Sequence, residues 1–302
     1  MIKNEEITYE KLKNLLSELS FSSPALQLSY IGNSVLGREI PLITLGDESA
    51  KRSVLYCATH HACENICTSL LVKFIREYAF LCENGSSCYQ INVGCLNKMR
   101  KIYIVPMLNP DGVEYRLNGV GENNPIKDRV VAYNGGEDFS LWQANARGVD
   151  LNHNYNAFFD EYKKLEKERE ITPGKTKYSG EYPESEPETS ALCNLIRHIQ
   201  PTLDGVITLH TQGEEIYYSS RGKIPKKSVH VSKILRKITR YSLGEPSDTA
   251  CFGGLTDYLI NTYDIPSFTV ECGRGKNPLP YSDVDKIYAD IREMLFTFPI
   301  LF

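Results

Sequence analysis

The apolar run Ser53-Val54-Leu55-Tyr56-Cys57-Ala58 stops at Thr59-His60-His61-Ala62-Cys63-Glu64, and this junction constrains the chain more than any other stretch. So little polar interruption predicts a buried strand. A strand that ends at a His/Glu-rich turn and leads into a helix presents ligands from a rigid edge. His61 and Glu64 are three residues apart. On a helical turn that spacing puts both side chains on one face, with Cβ atoms roughly 5–6 Å apart. An imidazole nitrogen and a carboxylate oxygen can then converge on one ion at about 2.0–2.2 Å. Two protein ligands do not make a tight site, so the junction gains meaning only if a third arrives from far along the chain.

The remainder alternates between strand-like and helix-like stretches. Leu12, Leu15, Leu16 and Leu19 fall at helical spacing and predict an amphipathic helix over 6–19. Leu26 to Ile31 and Ile40 to Leu45, joined by turn-forming residues, read as a hairpin. A helix over 64–82 follows the His-Glu turn, and residues 83–100 read as a polar surface loop. Lys101 to Met107 resumes a buried strand and meets the turn signal Leu108-Asn109-Pro110-Asp111-Gly112. The segment 113–182 reads as long and irregular, and loops of that length usually carry binding groups.

Beyond it come a helix from Glu186 to Ile199 and a strand from Leu203 to Leu209 that ends at His210. Helices over 226–242 and 254–263, a strand from Pro266 to Val270 ending at Glu271, and a helix from Lys286 to Phe298 complete the order. This alternation predicts a single three-layer α/β/α domain over 1–302, built on a mixed, mainly parallel sheet, with its N-terminal helix inside 1–25.

Composition narrows the function classes. A net charge of −4 and a pI near 5.9 leave no basic footprint, which argues against nucleic acid as a partner. No apolar stretch approaches the 18 or so residues of a membrane span, and no apolar signal core follows Met1 to Glu6. Nine irregularly spaced cysteines do not make a disulfide framework, and Cys63 and Cys67 have no second pair in zinc-ribbon spacing. Reduced thiols in a cytoplasmic protein are the expectation.

Three apolar strands therefore end in chemically loaded residues: His61 with Glu64, His210, and Glu271. Ligands bind at the carboxyl ends of strands in open α/β sheets, so these residues can share one crevice. Two imidazoles and one carboxylate leave an open position on Zn²⁺ for water, as in a catalytic site. Glu271 is placed to take a proton from that water and hand it to a leaving amine.

The chain resembles the M14 (carboxypeptidase A-like) zinc carboxypeptidases from Gly37-Arg38-Glu39-Ile40 to about Pro280. The resemblance lies in His61-Ala62-Cys63-Glu64, Asn109-Pro110-Asp111-Gly112, Arg147-Gly148-Val149-Asp150-Leu151-Asn152, residues 180–188, Leu209-His210, Gly253-Gly254 and Val270-Glu271. It implies a zinc carboxypeptidase-like (phosphorylase/hydrolase-like) fold and a hydrolase with one Zn²⁺ held by His61, Glu64 and His210. Glu271 is then the general acid/base, and Asp150 orients His61.

The family's carboxylate-binding Asn-Arg pair reads Asn152-His153 here, and its tyrosine four residues before Gly-Gly is Thr249. Its Trp-Arg pattern reads Trp142-Gln143, which leaves Arg147 as the nearest arginine for polarising the scissile carbonyl. Asn152, His153 and Thr256 are the expected substrate contacts, with no acidic pocket floor at Thr256. Asn152-His153-Asn154 and the segment after Glu271 resemble the branch that includes bacterial γ-D-glutamyl-L-diamino acid peptidases, which cleave peptidoglycan stem peptides. Arg274 and Lys276 are then candidate anchors for an extra substrate carboxylate. A metallocarboxypeptidase acting on ordinary peptides, a small-molecule zinc amidohydrolase or deacylase, and an inactive binding protein are the alternatives.

Overall fold

The computed structural model describes residues 6–246 and 248–302. Among the described residues are ten strands: β1 (Leu26–Asn33), β2 (Glu39–Leu45), β3 (Arg52–Ala58), β4 (Ser87–Cys88), β5 (Ile91–Asn92), β6 (Arg100–Val105), β7 (Leu203–His210), β8 (Glu215–Tyr217), β9 (Ser242–Gly244) and β10 (Ser267–Glu271). Eight of them form one sheet in the order β1-β2-β6-β3-β7-β10-β8-β9. Its centre, β6-β3-β7-β10, is parallel, while β1, β2 and β8 join antiparallel. The expected mixed, mainly parallel sheet is therefore observed.

Alternation along the central strands divides the core between two faces. Val54, Tyr56 and Ala58 of β3 pack into one cluster with the helices Tyr9–Ser22, Ile66–Glu83, Ser228–Thr239 and Val284–Thr297. Leu55 and Cys57 pack into the other, with the helices Pro187–Ile199 and Leu255–Tyr263. Every β3 residue after Arg52 is buried, because helices cover both faces and leave no wet side for a polar residue.

Three expectations are corrected. Residues 83–100 contain the β4-β5 ribbon and a helix, Val93–Met99, capped by the Asn92 side chain. The segment 113–182 carries helices Lys127–Asn134 and Phe159–Glu168. Asn109-Pro110-Asp111-Gly112 opens the helix Pro110–Asn118: Asn109 Oδ1 accepts from Gly112 N–H at 3.0 Å, and Pro110 occupies the first turn. Proline suits that position because the first helical N–H groups have no partner to lose. Met1 to Glu5 of the N-terminal segment lie outside the described residues.

Candidate active site and metal centre

The turn after one strand and the ends of two others deliver four functional groups. After β3 the chain turns through Thr59, at φ 60°. His61 then caps a one-turn helix, Ala62–Glu64, that leads into Ile66–Glu83. β7 ends on His210 and β10 on Glu271, and their parallel register sets these two residues side by side.

His61 Nδ1 lies 3.0 Å from Glu64 Oε1, and His210 Nδ1 lies 3.0 Å from Oε2 of the same carboxylate. One ligand atom from each of the three residues lies within 4.8 Å of the others. Thr211 N–H and the Asn277 amide each donate to Glu64 at 3.2 Å, which fixes its plane. His61 Nε2 lies 3.1 Å from Asp150 Oδ1. Donation of the Nε2 proton to Asp150 leaves the Nδ1 lone pair facing the cluster, the tautomer a metal ligand needs.

Burial works to raise Glu64, but His61 and His210 hold it down at about 2. Burial opposes charging His61, yet Glu64 and Asp150 lift it well above the usual imidazole range. Glu271 is pushed up to about 8 by burial and then by Glu64. The site thus packs carboxylates into a buried space where a cation is the natural complement. Two imidazole nitrogens and one carboxylate oxygen fit zinc, with a position left open.

The three residues and Glu271 line a cavity of about 210 Å³. Asn152, His153 and Thr256 line it as well. Asn152 Oδ1 accepts from Leu255 N–H at 3.2 Å, which leaves the Asn152 amide N–H groups to donate. His153 is buried and stacked on Tyr162 at 4.4 Å, with Nδ1 2.7 Å from the Phe252 carbonyl. Burial pushes its proton off. Thr256 shares a 2.8 Å hydrogen bond with Thr269. His60 stacks on His210 at 5.4 Å and bonds Tyr155 at 2.8 Å, outside the cluster of His61, Glu64 and His210.

Arg147 and Arg274 do not reach this cavity. Asp150 N–H donates to Tyr178 C=O at 2.7 Å, so the two segments lie side by side as a ridge between two cavities. Asp150 and Lys177 line the catalytic cavity, while Val149 and Tyr178 line a different one of about 530 Å³. Arg147 falls on the Val149 side, 53% exposed, with a nitrogen 3.7 Å from Glu186. Arg274 is 76% exposed and pairs with Glu214 at 2.7 Å. The turn after β10, through Gly273 at φ 70°, carries it outward. Lys276 is not among the lining residues either.

Gln143, Asp257, Lys177 and Tyr217 also line the cavity, beyond the residues the sequence points to. Gln143 carried a signal, since it follows Trp142 where the family pattern has arginine; its Oε1 accepts from Thr176 at 2.5 Å. Asp257 adds an acid beside Thr256. Burial pushes it up to about 6, and its carboxylate accepts from the Ser220 hydroxyl. For Lys177 and Tyr217 no sequence pattern gave warning.

The sequence profile of the zinc carboxypeptidase family, peptidase M14, matches residues 12–294. The γ-D-glutamyl-L-diamino acid endopeptidase 1 of Lysinibacillus sphaericus is 35% identical over 285 residues, 93% of this chain and 69% of that protein. The fold is shared with carboxypeptidase A from Helicoverpa armigera, at TM-score 0.74 and 17% identity over 99% of this chain and 74% of that one. It is also shared with the murein-tripeptide amidase of Escherichia coli O157, at TM-score 0.54 and 20% identity over 90% and 92%.

Proposed function

The chain belongs to the zinc carboxypeptidase family, and within it we propose a cytoplasmic peptidase, one catalytic domain, that cleaves γ-D-glutamyl-diamino acid bonds in peptidoglycan-derived peptides. The observation that carries the hydrolytic reading is the convergence of His61, Glu64 and His210 with Glu271 in one cavity. The substrate class is supported by the 35% identity to an endopeptidase named for that bond. The cytoplasmic reading is supported by nine free cysteines. No helix among the described residues is long and apolar enough to cross a membrane.

His61, Glu64 and His210 would hold the zinc. When bound, it supplies Lewis acidity to a carbonyl and lowers the pKa of water toward ~7. Asp150 keeps His61 in the tautomer that offers Nδ1. Glu271 takes the proton of the attacking water and delivers it to the departing amine nitrogen. The Gln143 amide stands where the family pattern has arginine, so the carbonyl meets a neutral donor there. Asn152 donates its amide N–H groups to the substrate. Thr256 and Thr269 give the side-chain wall hydroxyl character.

The test is a panel. The zinc-loaded protein is incubated with a γ-D-Glu-meso-diaminopimelate tripeptide, an ordinary C-terminal dipeptide and an N-acyl amino acid. Cleavage of the tripeptide is expected. Cleavage of the dipeptide alone would overturn the substrate class, and cleavage of the N-acyl amino acid alone would overturn the peptidase reading.

A further inference from the structure

The catalytic cavity is lined by Glu64, Asp150, Asp257 and Glu271, yet among the described lining residues it has one lysine and no arginine. That lysine is Lys177. The other positions expected to supply positive charge do not. His153 is buried, stacked and bonded to a carbonyl. Arg147 lies across the ridge in the larger cavity, and Arg274 is paired with Glu214 on the outside. An anionic peptide entering this cavity therefore meets a single cationic side chain.

We propose that Lys177 binds a carboxylate on the leaving-group side of the substrate and so sets the preference for anionic peptides. The assignment rests on the peptidase reading above. Lys177 is an exposed side chain on a fixed main chain. Its backbone adopts φ 71°, its N–H donates to Asp150 Oδ2 at 2.9 Å, and its C=O accepts from the Tyr162 hydroxyl at 2.7 Å. The other oxygen of Asp150 meets His61 Nε2. One buried carboxylate thus ties the Lys177 main chain to the metal cluster, which holds the root of the ammonium arm at a set place relative to the scissile bond. The ammonium has no ion-pair partner among the described residues, so a substrate carboxylate displaces no internal salt bridge. The Asn152 amide, on the same cavity, offers a second donor to that anion.

The test compares two forms of one peptide, with the leaving-group carboxylate free or converted to a primary amide. Wild type should prefer the free acid by ~10–100-fold in kcat/KM, the effect of losing one hydrogen bond between charged groups. Lys177→Met should bring the two forms within about threefold of each other, through KM and with kcat little changed, and Lys177→Arg should restore the preference. Binding of both peptides to Glu271→Gln protein, with and without Lys177→Met, reads the same contrast without turnover.

Three results would overturn the proposal: no preference in wild type, a preference retained in Lys177→Met, or an equal loss on both peptides. If wild type ignores the peptidoglycan tripeptide and cleaves an ordinary dipeptide, the substrate reading fails by itself. The acid/amide comparison is then made on the dipeptide, with the same outcomes.

Discussion

Asp150→Asn should cost zinc affinity and the fold by comparable amounts, because of what each carboxylate oxygen does. Asp150 is 2% exposed. Oδ1 accepts from Asn152 N–H and meets His61 Nε2, both at 3.1 Å, while Oδ2 accepts from Lys177 N–H at 2.9 Å and lies 3.3 Å from the Thr176 hydroxyl. An asparagine must put its NH₂ on one side or the other. Beside His61 it opposes the Nε2 proton and destroys the ligand tautomer. Beside Lys177 it keeps an acceptor for His61 but sets a donor against the Lys177 N–H.

The second orientation loses less, and even there the negative charge that raises the basicity of His61 is gone. Loss of such an orienting group costs ~10–100-fold in metal affinity, or about 1.4–2.8 kcal/mol at 1.4 kcal/mol per decade. The unpaired Lys177 N–H adds ~1–3 kcal/mol to the fold's loss. Competition with a chromophoric chelator at neutral pH measures the zinc dissociation constant, and urea unfolding of the metal-free protein measures the fold. Thr176→Val serves as the control: it removes the hydroxyl and keeps the charge, and should change zinc affinity less than about threefold. Asp150→Asn within twofold of wild type, or Thr176→Val as damaging as Asp150→Asn, would refute the reasoning.

Three further outcomes are expected. Glu271→Gln should lower kcat by ~10²–10⁴-fold with a zinc dissociation constant near that of wild type, since Glu271 lies outside the three-residue ligand cluster; a parallel loss of zinc would contradict its role. Glu188 is pushed up to about 8 by burial and then by Asp111. A carboxyl raised in the folded state is neutral in both states at low pH. Its penalty on the fold grows from pH ~4.3 to ~8 and is constant above. Glu188→Gln should therefore gain ~1–4 kcal/mol relative to wild type between pH 5 and 8.5 in urea unfolding, and no change with pH would sink the idea. Asn154 is fully buried and ties Ser179, Tyr182, Ser185, Glu186 and Thr189 together. Asn154→Leu, close in shape, leaves several of those groups unsatisfied and should destabilise by at least ~3 kcal/mol, where a loss below ~1 would show that the loop repacks.

The sequence alone determined which polar residues stand at the strand ends. His61, Glu64, His210 and Glu271 were legible because apolar runs such as Ser53–Ala58 have a strong periodic signature, and a polar residue at their carboxyl end stands out. The main helices and the parallel centre of the sheet followed from the same alternation. The segment 113–182 was less legible: its short helices carry weak apolar periodicity, and what holds it is the buried polar network around Asn154, whose partners lie up to 35 residues away. The tertiary structure alone decided which side of the 149–150/178 ridge each cation faces. Arg147 is near Asp150 in sequence, yet its side chain lies in the other cavity with Val149 and Tyr178, 3.7 Å from Glu186. Lys177 lines the catalytic cavity instead, its N–H on Asp150. Its position follows from which segment pairs with Asp150, a long-range contact that residue spacing does not encode.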